Sequence, residues 1–91
     1  MYAVIFTATV LKLDEEYTVT AERLRTLAFE QYNCIDFTSC TEGSREIAIS
    51  YWHSEADIQA WHADPEHKAA QRLGKQRWYK NYKAEVTQVL R

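Results

Sequence analysis

REIAISYWHSEADIQAWHADPEH (residues 45–67) decides the fold. Its first nine residues read as a strand, and Glu42-Gly43-Ser44 just before them is a turn signal. Ser54 then starts a helix. Ser54-Glu55-Ala56-Asp57 resembles a capping box with Asp57 in place of the usual Glu or Gln, and Ile58, Trp61 and His62 share a face. Asp64-Pro65 restarts the helix, with Asp as N-cap and Pro at the first helical position. This second piece runs through EHKAAQRLGKQRWY, with Gly74 placed either to end it or to allow close packing.

Working outward, residues 33–42 (NCIDFTSCTE) read as the partner strand of a hairpin. Residues 14–32 open with acids, which suit the positive end of a helix dipole, and carry Leu24, Leu27 and Ala28 at helical spacing. Residues 2–13 are strand-like and apolar in both alternation classes, as in a strand buried on two faces, and residues 82–90 read as a last strand. The order is β-α-β-β-α-β in one domain over residues 1–91. This is the ferredoxin-like α+β plan, with helices on one face of a four-stranded antiparallel sheet. No chain remains to cover the other face. An apolar sheet face of this size is rarely left in water, so a homodimer through the open sheet face is expected.

Composition narrows the function. The chain is 46% hydrophobic and 26% charged with net charge −2, which describes a globular protein without a nucleic-acid footprint. Lys75, Arg77, Lys80 and Lys83 read as a solvated face. The first strand is too short for a membrane span and lacks signal-peptide anatomy, so a cytoplasmic location is expected. Cys34 and Cys40 in one extended strand would stand about 20 Å apart, too far for a disulfide, and read as free thiols.

All three histidines, His53, His62 and His67, fall between residues 51 and 67. His62 and His67 would lie roughly 140° apart even on one unbroken helix, a poor chelating pair, so no metal site is expected. Imidazole titrates near neutrality, which makes His67 the candidate base or hydrogen-bond donor, with Gln71 and Trp78 on the same side. Trp61, Trp52, Tyr51 and Trp78 supply aromatic walls suited to a small planar organic molecule. No Gly-rich phosphate loop is present, and no cofactor is indicated.

Residues 49–91 also resemble the antibiotic biosynthesis monooxygenase-like family. The resemblance rests on Y-W-x-S-x-x-x-I-x-x-W from Tyr51, D-P-E-H-x-x-A-Q from Asp64, and Arg77-Trp78-Tyr79 before the last strand. It implies a dimeric α+β barrel of ferredoxin-like subunits. It further implies a cofactor-independent monooxygenase acting on an aromatic or quinol-type molecule, with Trp61 matching the tryptophan that lines the pocket. A haem-degrading branch of the family uses an asparagine on the first strand and a histidine ligand on the helix after that tryptophan. Here the first strand has no asparagine and the histidine position falls on Gln71, so haem degradation does not follow. The alternative reading is a non-catalytic, small-ligand-binding or stress-related homodimer of the same fold.

Overall fold

The computed structural model describes residues 1–91. The elements are β1 (Tyr2–Val10), α1 (Glu15–Gln31), β2 (Asp36–Glu42), β3 (Arg45–Trp52), α2 (Glu55–His62), α3 (Pro65–Leu73), a π-helical turn (Gly74–Trp78) and β4 (Tyr79–Gln88). The four strands form one sheet in the order β2-β3-β1-β4, all pairs antiparallel. This is the ferredoxin-like α+β arrangement expected from the sequence.

The helix starts follow their caps. The Asp14 side chain accepts from the Tyr17 amide, Ser54 from Asp57 and Asp64 from Glu66, each filling an otherwise unpaired donor of a first turn. Beyond capping, Asp14 accepts from Trp78 Nε1 at 3.1 Å and Arg77 at 2.7 Å, which ties the π-helical turn to the start of α1. Its carboxyl is held below the usual range, chiefly by the Tyr17 amide and then by Arg77. Tyr32, at the C-cap of α1, donates to Asp64 at 2.6 Å, and Arg23, midway along the helix, pairs with Glu66. The exposed ion pairs add little stability by themselves. Together with the tyrosine and tryptophan hydrogen bonds they fix α1 against α3.

Three boundaries differ from expectation. β1 stops at Val10, and Leu11 beyond it is exposed. β2 begins at Asp36, because Asn33 turns the chain at φ 61°. Cys34 therefore lies before the strand, buried, with its thiol against the carbonyls of Asp36 and Tyr51, and burial pushes that thiol up. Cys40 is exposed on β2, and both thiols are free. The last strand begins at Tyr79 rather than residue 82, because the π-helical turn ends the helical run sooner. Gly74 opens that turn, where a Cβ would stand 2.9 Å from Tyr79 Cε2, so close packing is its use.

The sheet faces are assigned unusually. Along β3 the large residues Ile47, Ile49 and Tyr51 point away from the helices, while Glu46, Ala48, Ser50 and Trp52 point toward them. On β1, Val4, Phe6 and Ala8 face the helices, and Ile5 pairs with Ile49 on the open side. The core gathers at one end of the sheet, where Val4, Ala28, Cys34, Trp52, Ile58 and Trp61 pack together. Toward the other end, the small side chains of Ala48 and Ser50 leave a gap between sheet and helices.

Candidate active site

That gap is a cavity of about 440 Å³, within the range of small-molecule sites. Sheet residues form its floor, α1 supplies Tyr17, Ala21 and Leu24, and α3 with the π-helical turn supplies His67, Ala70, Gln71 and Trp78. Its lining is mainly apolar and aromatic, with polar groups concentrated at two places.

The first place is around Trp61. Trp61 is buried between Trp52, at 5.1 Å between ring centroids, and His67, at 4.4 Å and nearly edge-on. His62 stands 5.0 Å from His67 and 5.4 Å from Trp61. The expected dispersal of these histidines is thus corrected for this pair. The helix breaks at Ala63-Asp64, where Asp64 takes an extended conformation, so angular spacing on a continuous helix does not apply. His53 remains exposed at the end of β3, and no group of three or more His, Cys, Asp or Glu side chains converges to hold a metal.

Two buried polar atoms in this region have no hydrogen-bond partner: Trp61 Nε1 and His67 Nδ1. Buried polar groups are nearly always satisfied, and each one left unpaired costs about 1–3 kcal/mol. Both residues line the cavity. Burial first, and the neighbouring His62 second, push His67 down to about 4, so its imidazole is neutral at pH 7.

The second place is around Glu46, which the sequence pattern did not single out. Its carboxylate is buried and accepts hydrogen bonds from the hydroxyls of Tyr17 and Tyr79. Both phenols are pushed above the usual tyrosine range by burial. For Tyr17 the hydrogen bond to Glu46 adds to this, and for Tyr79 the bond to Tyr17 does. At the rim, Arg25 bonds Ser39 at 3.1 Å and lies over the Phe37 ring.

Of the residues expected at the site, Trp61, His67, Gln71 and Trp78 line this cavity, Gln71 at an exposed position. Trp52 does not. It lies fully buried behind Trp61, with Nε1 donating to Ser50 Oγ at 2.9 Å. Tyr51 is on the opposite face of the sheet, because strand alternation separates it from Ser50 and Trp52.

A four-stranded antiparallel sheet covered by helices on one face is a ferredoxin-like α+β fold shared with antibiotic biosynthesis monooxygenase-like proteins. SnoaB from Streptomyces nogalater, described as a cofactor-independent oxygenase, superposes with TM-score 0.81 at 12% identity, covering 99% of this chain and 93% of that one. Rv0793 from Mycobacterium tuberculosis superposes with TM-score 0.83 at 11% identity, covering 99% and 95%. A putative antibiotic biosynthesis monooxygenase from Deinococcus radiodurans gives TM-score 0.69 at 14% identity, covering 100% and 94%. At these identities the likeness is one of fold. In sequence, the chain is 38% identical over 89 residues to the uncharacterized protein YqjZ of Bacillus subtilis, covering 97% of this chain and 78% of that protein. The chain belongs to the family of YqjZ. No family model matches it.

Proposed function

We propose that the protein is a cofactor-independent monooxygenase acting on an aromatic or quinol-type small molecule held in the cavity. The observation that carries this reading is a ligand-sized aromatic cavity lined by Trp61 and His67, whose Nε1 and Nδ1 atoms lie buried in its wall without a partner. An indole N–H donates and a neutral imidazole nitrogen accepts. A phenolic substrate supplies the complement: its hydroxyl donates to His67, which takes the proton as electron density leaves the ring for dioxygen, and the phenol oxygen accepts from Trp61. Deprotonation makes the ring electron-rich enough to reduce dioxygen itself. One oxygen atom enters the ring, and the other leaves as water with the two hydrogens the quinol loses. The apolar walls exclude solvent from the anion. SnoaB's description as a cofactor-independent oxygenase supports the reading by likeness of fold.

The test is oxygen consumption with a panel of naphthols, anthrones and quinols under labelled dioxygen. Turnover with one labelled oxygen atom in the product, lost in Trp61→Leu, is the expected result. Saturable quenching of tryptophan fluorescence with no turnover on any member would replace the enzyme by a non-catalytic binding protein.

The working unit in this reading is a homodimer in the cytoplasm. Ile5, Ile47, Ile49 and Tyr51 form an apolar stripe across the face turned from the helices, and two free thiols suit a reducing compartment. No helix is long and apolar enough to cross a membrane. Ile49→Glu is expected to halve the mass measured by light scattering. A wild-type chain that already runs as a monomer would remove the dimer.

A further inference from the structure

The cavity has a second polar end that the reaction above does not use. Glu46 is only 6% exposed, yet no lysine or arginine pairs with it. Buried carboxylates ordinarily have a cation or a full set of donors. Glu46 has two, the hydroxyls of Tyr17 and Tyr79, one on each oxygen. An ionised carboxylate offers about four lone-pair sites, so about two stay open. Glu46 lines the cavity, so those sites are available to whatever the cavity holds.

The surroundings define the kind of molecule. Tyr17 meets Trp78 edge-on at 5.2 Å, and Phe6 stacks on Tyr82 at 5.7 Å, which gives this end aromatic walls like those at Trp61. Glu46 and Ser50 lie on the same face of β3, four residues apart and therefore about 13 Å along the strand. Ser50 carries Trp52, which backs Trp61. Glu46 thus lies about 13 Å along the strand from the Ser50–Trp52 pair that backs the Trp61 end, a span on the scale of a fused-ring system with its hydrogen bonds. The nearest rim cation, Arg25, is engaged with Ser39 and the Phe37 ring, and its charge disfavours an ammonium group nearby. A hydroxyl meets no such opposition, and it can donate to an open lone pair of the carboxylate, whose two tyrosine partners already spend their single O–H groups on it.

We infer that the cavity selects planar fused-ring molecules bearing a hydroxyl at each end, the far hydroxyl donating to Glu46 between Tyr17 and Tyr79. This rests on the site proposed above and adds its specificity-determining residue. A ligand with one hydroxyl leaves Glu46 with its tyrosines alone. A ligand with two adds a charge-assisted hydrogen bond in a site shielded from water.

Fluorescence titration with 2-naphthol and 2,6-dihydroxynaphthalene, which differ only in the far hydroxyl, tests this. The wild-type protein should bind the diol about tenfold more tightly. In Glu46→Gln, 2-naphthol affinity should stay near wild type while the preference for the diol falls to about twofold or less. In Tyr79→Phe, which uncovers one carboxylate oxygen, the preference should persist or grow. Equal wild-type affinity for both compounds, or a preference that survives Glu46→Gln, overturns the inference. If Glu46→Gln does not fold by circular dichroism, Tyr79→Phe decides, and a preference below wild type there overturns it. Failure of 2-naphthol itself to bind removes the underlying site reading as well. Binding of 2-naphthol without diol preference removes this inference alone.

Discussion

Replacing His67 by phenylalanine is expected to lower kcat/KM for an accepted phenolic substrate by about a hundredfold or more while making the folded chain about 1 kcal/mol more stable. The two effects share one cause. His67 Nδ1 is buried without a partner, so the fold bears the cost of a desolvated acceptor. Phenylalanine fills similar space and removes that acceptor, but it cannot take a proton. The sign of the pH dependence follows from the same burial. The imidazole pKa is lowered from 6.5 in the unfolded chain to about 4 in the fold, so the unfolded state binds the proton first as pH falls. Stability contributed by neutral His67 is present above pH 6.5 and is lost between pH 6.5 and about 4, a loss of order 3 kcal/mol. His62, also lowered by burial, acts in the same direction. Urea denaturation at pH 4.5 and pH 7 should show a smaller acid loss in His67→Phe than in wild type. The acid limb of kcat/KM should fall near pH 4–5 rather than at 6.5. Wild-type turnover in His67→Phe would end the base role.

The parts of this molecule legible in its sequence are those fixed by neighbours along the chain. Ser54, Asp64-Pro65 and the acids after Leu13 set helix starts through hydrogen bonds spanning two or three residues. Gly43, at φ 59°, sets the hairpin. The features missed depend on contacts far apart in sequence. In REIAISYW the large apolar residues Ile47, Ile49 and Tyr51 alternate with Glu46, Ala48 and Ser50, and bulk alone does not tell which set the helices cover. The helices lie over the small and polar side, because a cavity requires small side chains beneath it. Tyr51 was misplaced and Glu46 overlooked for that one reason. The approach of His62 to His67 was also hidden, since it depends on the helix break at Asp64 and not on spacing along one helix. The π-helical turn shows no local signal beyond Gly74, and its placement is fixed by Asp14, 63 residues before Arg77, accepting from Arg77 and Trp78.

Trp52→Ala is expected to cost about 3–5 kcal/mol of stability, the largest loss from any single substitution in this chain. Trp52 is fully buried and joins three things: the core through Val4 and Ile58, the cavity wall through Trp61, and Ser50 through its indole N–H. Truncation empties the volume of an indole, leaves Ser50 Oγ without its donor, and removes the support that holds Trp61 against His67. A domain of this size has roughly 5–15 kcal/mol to lose, so the variant should unfold at low urea concentration. The void would adjoin the ligand cavity through the Trp61 ring, since the two indoles stand 5.1 Å apart. Indole itself should therefore restore part of the loss, raising the unfolding midpoint with concentration as expected for a ligand that binds only the folded state. Trp52→Phe keeps a ring behind Trp61 and should lose much less, with little response to indole. If Trp52→Ala is as stable as wild type, Trp52 is not the support of this wall. If the loss is large but indole restores nothing, the structure has collapsed into the space, and Trp61 will have moved with it.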